Sequence, residues 1–294
     1  MNEEFATEKR NDPRSTAELI NLALIEPDED KAWEPVTVLQ FRATRDVLDA
    51  AECLCDTTVA KKRELGANIL GQLGVPKRAF PEECFQILCR MLPEEKDPGV
   101  LDAIAVAFGH LDDPRCIELL VPLKTHPDSE VRFGIVHGLS GHDHPLAIRT
   151  LIELSKDIDD DVRNWATFAL GTLIQADNHE IRDALLARST DAQDECRGEA
   201  LVGMARRKDG RVFEPLLKEL ATEGVGSLAI EAAAEIADPR LLPLLLELKD
   251  DCLAASGSVD DDIERAIAAC RFARDASKRG DRMPAIPPHY TAHR

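Results

Sequence analysis

A repeat constrains this chain more than any other feature. Three segments, DPGVLDAIAVAFGHL from Asp97, DSEVRFGIVHGLSGH from Asp128 and DDDVRNWATFALGTL from Asp159, set Val100, Val131 and Val162 31 residues apart. A fourth, CRGEALVGMA, brings Cys196 to the same position 34 residues after Val162, with the loop QADNHE absorbing the difference. In the third segment Val162, Ala166, Ala169, Leu170 and Leu173 fall on one stripe of an α-helix. A second helical pattern lies between these segments: DPRCIELLVPL from Asp113, HPLAIRTLIEL from His144, IRDALLARS from Ile181, RVFEPLLKEL from Arg211 and DPRLLPLLLEL from Asp238. Period-2 aliphatic strands are absent from the pattern. The unit is therefore helix, turn, helix, turn. A pair so short cannot bury its apolar faces alone, so neighbours must stack, and the expected fold is an all-α, right-handed α-solenoid of about six to seven hairpins.

Local chemistry agrees with this register. Asp113-Pro114 and Asp238-Pro239 put an N-cap acceptor before a proline at the first helical position. Ser15 and Glu18 have capping-box spacing and open an earlier helix. Upstream, residues 46–55, 61–74 and 82–92 extend the series, and residues 225–248 and 263–273 close it. The expected organisation is a flexible N-terminus over 1–15, one solenoid over 16–275, and a flexible tail over 276–294 with three prolines and no periodicity.

Composition narrows the function classes. Fifty-five acids against 36 bases give a formal net charge of −19, which repels nucleic-acid phosphates and suits a basic partner. Aromatics make up only 4%, in keeping with Ala/Leu-packed helices rather than a β-sandwich. None of the eight cysteines forms a CxxC pair, and Cys116 and Cys196 stand where the repeat elsewhere has Ile or Val, so both read as buried thiols. The first residues lack the apolar core of a signal peptide, and no apolar run reaches membrane-spanning length. A cytoplasmic, reduced protein that binds neither nucleic acid nor membrane is expected.

The period near 31 and the segments DSEVR and DDDVRNWATFALG resemble HEAT-like repeats of the phycobilisome-lyase type, over about residues 40–250. The order VRNWATFAL, IRDALLARS, RGEALVGMARRKDGRVFEPLLKEL and ADPRLLPLL is similar to bacterial HEAT-repeat proteins found in Rhs-type polymorphic toxin loci. The first resemblance implies a HEAT-like solenoid, and the second implies an immunity partner of a toxin.

Candidate sites follow from the register. With the anchor valine at 0°, positions two and six residues on point away from the core stripe, at about 200° and 240°. They hold Asp102 and Val106, Phe133 and His137, then Asn164 and Phe168. In solenoids of this type the second helices line the concave surface, so Phe133, His137, Asn164 and Phe168 are expected to form one protein-binding patch across two repeats. Trp165, Asp102 and Glu199 are placed around it. For Trp165, packing between helices and contact with a partner are both open.

Other clusters read as structural. Arg132, Arg163 and Arg197 follow the anchors, and Asp128 and Asp159 precede two of them by four residues, which reads as a ladder of cap carboxylates and arginines. His137, His142, Asp143 and His144 offer metal-ligand types, but His142 and His144 flank a turn before Pro145 and read as a polar loop. Some HEAT-repeat hydroxylases hold two irons through repeated His-Glu pairs; this chain has one such pair, His179-Glu180. No phosphate loop, Cys-His pair or GxSxG occurs. The expected protein is thus non-catalytic, without metal or cofactor, and binds another protein, in the most specific form a basic toxin domain. A tetrapyrrole lyase or chaperone and a general assembly scaffold are the alternatives.

Overall fold

A computed structural model describes residues 3–222, 224–256 and 258–279. The chain forms two compact units, the first ending at Ala176 and the second beginning at Asp177. In the first, the helices are α1 (Glu3–Arg10), α2 (Thr16–Ile25), α3 (Glu29–Arg42), α4 (Arg45–Cys55), α5 (Ala60–Gln72), α6 (Pro81–Met91), α7 (Pro98–Leu111), α8 (Cys116–Leu120), α9 (Ser129–Leu139), α10 (Pro145–Leu154) and α11 (Asp160–Phe168). The second unit holds α12 (His179–Arg188), α13 (Asp194–Arg206), α14 (Phe213–Leu220), α15 (Ser227–Ile236), α16 (Leu242–Ser256) and α17 (Asp261–Arg279). No strand occurs among the described residues.

Helices pair as consecutive antiparallel-type hairpins, α4 with α5, α6 with α7, α8 with α9 and α10 with α11, and likewise α12 with α13, α14 with α15 and α16 with α17. Second helices pack on second helices: α5 on α7, α7 on α9 and α9 on α11 in the first unit, α13 on α15 and α15 on α17 in the second. This is the all-α solenoid architecture that the repeat requires. The register is the one set by the anchors. Val100, Val131, Val162 and Cys196 are fully buried, as are Ile104, Ile135, Ala166 and Ala200. Each buried valine or isoleucine of this set contributes about 1.5–3 kcal/mol on leaving water. Cys116 is equally buried, and burial pushes its thiol up to about 12, which makes it an inert core group.

The second-helix row packs closely because small residues face each other. A Cβ on Gly134 would stand 3.0 Å from the Asp102 Cα and 2.6 Å from Asp102 Oδ1, so α7 and α9 approach backbone to backbone there. Asp97, Asp128 and Asp159 cap their helices by accepting the N–H groups of Val100, Glu130 and Val162, and Ser15 and Glu18 close a capping box, whereas α8 begins at Cys116, two residues beyond Pro114, and Asp113 does not cap it.

Several features differ from the sequence reading. The N-terminal segment expected to be flexible contains α1, whose Phe5 packs edge-on against Phe41 at 5.7 Å. At the other end α17 runs to Arg279, while residues 280–294 of the expected tail lie outside the described residues. The arginines do form a ladder, but not to the cap carboxylates four residues before them. Arg132 donates to both Asp157 oxygens at 2.7 Å, in the turn that opens the next repeat, and to the His126 carbonyl at 2.8 Å. Arg63 does the same to Glu95 and Arg197 to Glu219. The reason is reach: the cap carboxylates are taken by helix N–H groups, leaving the guanidinium fork free to bridge successive turns. Burial works to raise the Asp157 carboxyl, yet the Arg132 bonds and the Asp159 N–H outweigh it and hold it below its ordinary value.

The stripe of α11 also breaks. A π-helical turn, Ala169–Leu173, follows Phe168, with the Ile174 N–H donating to the Ala169 carbonyl at 2.9 Å. The extra residue per turn rotates the chain, so Leu173 emerges 37% exposed and Ile174 takes the buried position at 2%.

Candidate protein-docking site

The rings expected on the face away from the core stripe are in contact with one another. Phe133 and His137 project from successive turns of α9, and Trp165 and Phe168 do so from α11, as the i,i+4 and i,i+3 spacings require. The ring centroids of Phe133 and His137 are 4.7 Å apart, those of His137 and Trp165 4.6 Å, and those of Phe133 and Trp165 5.9 Å. Trp165 and Phe168 meet at 5.5 Å. Both phenylalanines stand nearly perpendicular to the indole, at 83° and 84°, the edge-to-face geometry that aromatic quadrupoles favour. Four rings from two repeats thus form one cluster.

Exposure sorts their roles. Trp165 is 37% exposed and is the most open ring of the four. Phe133, His137 and Phe168 are half-buried, because each is covered partly by a neighbouring ring. Trp165 therefore lies at the surface of the cluster, while its partners hold it from beneath and the side. Burial lowers the His137 imidazole below its ordinary value, so at neutral pH it adds an uncharged ring to the cluster. The π-helical turn begins immediately after Phe168, at the edge of this cluster.

Polar groups beside the rings are unusual in lacking partners. Asp102 is half-buried on α7 against Gly134, one residue beyond Phe133, and its Oδ1 has no hydrogen-bond donor. Burial first, then the neighbouring charges of Glu130 and Glu64, push its carboxyl up to about 6. Asn164, next to Trp165, is also half-buried with an unpartnered Oδ1. Glu199, the remaining candidate, is half-buried on α13 and belongs to the second unit. Glu64 and Glu130 were not singled out by the register, although Glu130 directly precedes the anchor Val131 and each lies on a second helix.

The histidine loop serves the fold. Gly141, at φ +88°, turns the chain so that His142 enters the interior, where it is 8% exposed with Nε2 3.8 Å from Cys116 Sγ. Its expected role as an exposed loop residue is thereby corrected. His144 caps α10 by accepting the Leu146 N–H, and Asp143 accepts the N–H groups of Gln175 and Ala176. Among the described residues, no group of three or more His, Cys, Asp or Glu side chains is arranged to hold a metal ion. No helix among them is long and apolar enough to cross a membrane.

Comparison with known proteins supports the architecture. The family model for HEAT repeats matches residues 85–171, the stretch that contains the ring cluster. The chain is 33% identical over 214 residues to Protein YibA of Escherichia coli strain K12, covering 71% of this chain and 76% of that protein, and matches YibA of E. coli O157:H7 equally. The X-ray structure of E. coli YibA superposes with a TM-score of 0.70 at 29% identity, covering 93% of this chain and 97% of that one. The chain belongs to the YibA-like family of HEAT-repeat proteins.

Proposed function

We propose that this YibA-like HEAT-repeat chain is a non-catalytic protein-binding solenoid, with the cluster of Phe133, His137, Trp165 and Phe168 at the centre of its docking face and Asn164 and Asp102 beside it. One observation carries the reading: four rings from two repeats gather away from the core stripe, with the indole the most exposed. An aromatic anchor supported by other rings is the kind of group that dominates protein interfaces, because it buries a large area at low entropic cost. The free cysteines suit a reducing, cytoplasmic setting.

In its most specific form the partner is a toxin domain that this chain neutralises as an immunity protein. The sequence likeness to HEAT-repeat proteins of Rhs-type loci favours it, and so does the net charge of −19, which complements a basic nuclease and speeds encounter. The test is calorimetry against the product of the adjacent gene, paired with a thermal melt. Trp165→Ala and Phe168→Ala are each expected to weaken binding at least tenfold, the equivalent of ~1.4 kcal/mol, with the Trp165 variant melting close to the parent. Unchanged affinity in both would place the interface elsewhere.

A further inference from the structure

We infer that the ring cluster receives a positively charged polypeptide segment, with an arginine side chain laid against Trp165 and its flanking rings and Asp102 as the nearby counter-charge. This rests on the reading of the cluster as a docking face and names the chemistry of what docks.

Three observations carry it. The rings offer π surface to a cation: Phe133 and Phe168 stand edge-on to Trp165, the most exposed of the four, and aromatic faces attract a guanidinium. Acids outnumber bases on the helices that carry the cluster. Across α7, α9 and α11 the acids Asp102, Glu130, Asp160 and Asp161 stand against only Arg132 and Arg163. Both of those arginine side chains are 11% exposed, Arg132 held by Asp157 and Arg163 by Asp160 and the Asp157 carbonyl. Finally, Asp102 sits among like charges, with Glu64 on one side and Glu130 on the other, and no donor reaches its Oδ1. Elsewhere in the unit buried carboxylates are paired, as Glu95 is with Arg63 and Asp157 with Arg132. Asp102, beside the docking face, has no ion-pair partner, and an arginine on the neighbouring rings would offset its charge through space without touching the buried Oδ1.

The probes are three fluorescein-labelled peptides of equal length, alternating Gly with Arg, Lys or Glu. Anisotropy reads binding, and tryptophan emission in a Trp33→Phe background reads Trp165 alone. The Arg peptide is expected to bind saturably and shift Trp165 emission, the Lys peptide several-fold more weakly, and the Glu peptide not at all. Trp165→Ala and Asp102→Asn should each weaken the Arg peptide at least fivefold, whereas Glu118→Gln, an exposed acid on α8, should leave it unchanged. Equal weakening by Glu118→Gln would show diffuse attraction to an acidic protein and overturn the proposal. So would an Arg peptide that binds without moving Trp165 emission, or that does not bind. If the adjacent-gene product still depends on Trp165 in that case, the docking face stands and only its cationic ligand falls.

Discussion

Asp102→Asn should make the protein more stable at neutral pH, and by an amount that depends on pH in a defined way. The carboxyl moves from its ordinary 3.8 to about 6 on folding, because burial and the charges of Glu130 and Glu64 disfavour its ionised form. At about 1.4 kcal/mol per pH unit, this costs the folded state about 3 kcal/mol once the group is fully ionised. Since the folded pKa is the higher one, the sign is opposite to that of a salt-bridged acid. Below pH 3.8 the group is protonated in both states and costs nothing. Between 3.8 and 6 the penalty grows, and above 6 it is complete. The variant therefore gains on the parent by about 1 kcal/mol at pH 4.5 and about 3 kcal/mol at pH 8, a widening of about 2 kcal/mol. Denaturation of parent and variant across that range measures the difference curve, in which every other titrating group common to both cancels. Any fixed cost of burying the amide displaces this curve without tilting it. A difference that is flat with pH, or that narrows as pH rises, would refute the assignment of Asp102 as an uncompensated carboxylate.

The paired acids should behave oppositely. Arg132→Ala leaves Asp157 buried without its bidentate partner and should cost about 3 kcal/mol at pH 7. Because the Asp157 carboxyl is held below 3.8, that loss should shrink in denaturation curves as pH falls through its folded value. His142→Ala opens a space beside Cys116 and should destabilise by about 1–3 kcal/mol, read as a lowered melting temperature, while His144→Ala should cost about 1 kcal/mol through loss of its cap. The π-helical turn makes a paired prediction: Leu173→Ala should lower stability by about 1 kcal/mol and Ile174→Ala by about 2–4 kcal/mol. An unbroken α-helix through this segment would reverse that order.

The repeat made the stacking legible because solenoid packing is one-dimensional. Each hairpin buries its stripe against neighbours of nearly the same sequence, so a position buried in one copy is buried in the next. That is why Val100, Val131, Val162 and Cys196 occupy the same environment although one of them is a thiol. Periodicity fails where one repeat departs from the common geometry. Leu173 continues a helical stripe on paper, but a π turn shifts phase through its backbone hydrogen bonding and leaves no mark in residue spacing. The place of His142 is hidden in the sequence for a similar reason. Polar residues around a glycine suggest an exposed loop, and only the path of the chain after Gly141 reveals that one of them turns inward.

The candidate site divides along the same line. Helical angles alone place Phe133, His137, Asn164 and Phe168 on the side away from the core, because direction is a property of one helix. Contact between rings on α9 and α11 depends on the separation of two helices and on rotamers, so residue spacing alone leaves the place of Trp165 open. Asp102 required more still. Its character comes from Gly134 closing over it and from Glu64 and Glu130 on the helices to either side, three elements spread across 71 positions of sequence. Every aspartate in this chain is the same letter in the sequence, whether a guanidinium grips it, as at Asp157, or no donor reaches its buried oxygen, as at Asp102. Asp157 is held below its ordinary value and Asp102 above it, and the difference lies in the donors that reach the one and in the burial and like charges around the other. A binding face is where the second arrangement can persist, since the missing charge can arrive with the partner and turn a folding cost into an affinity.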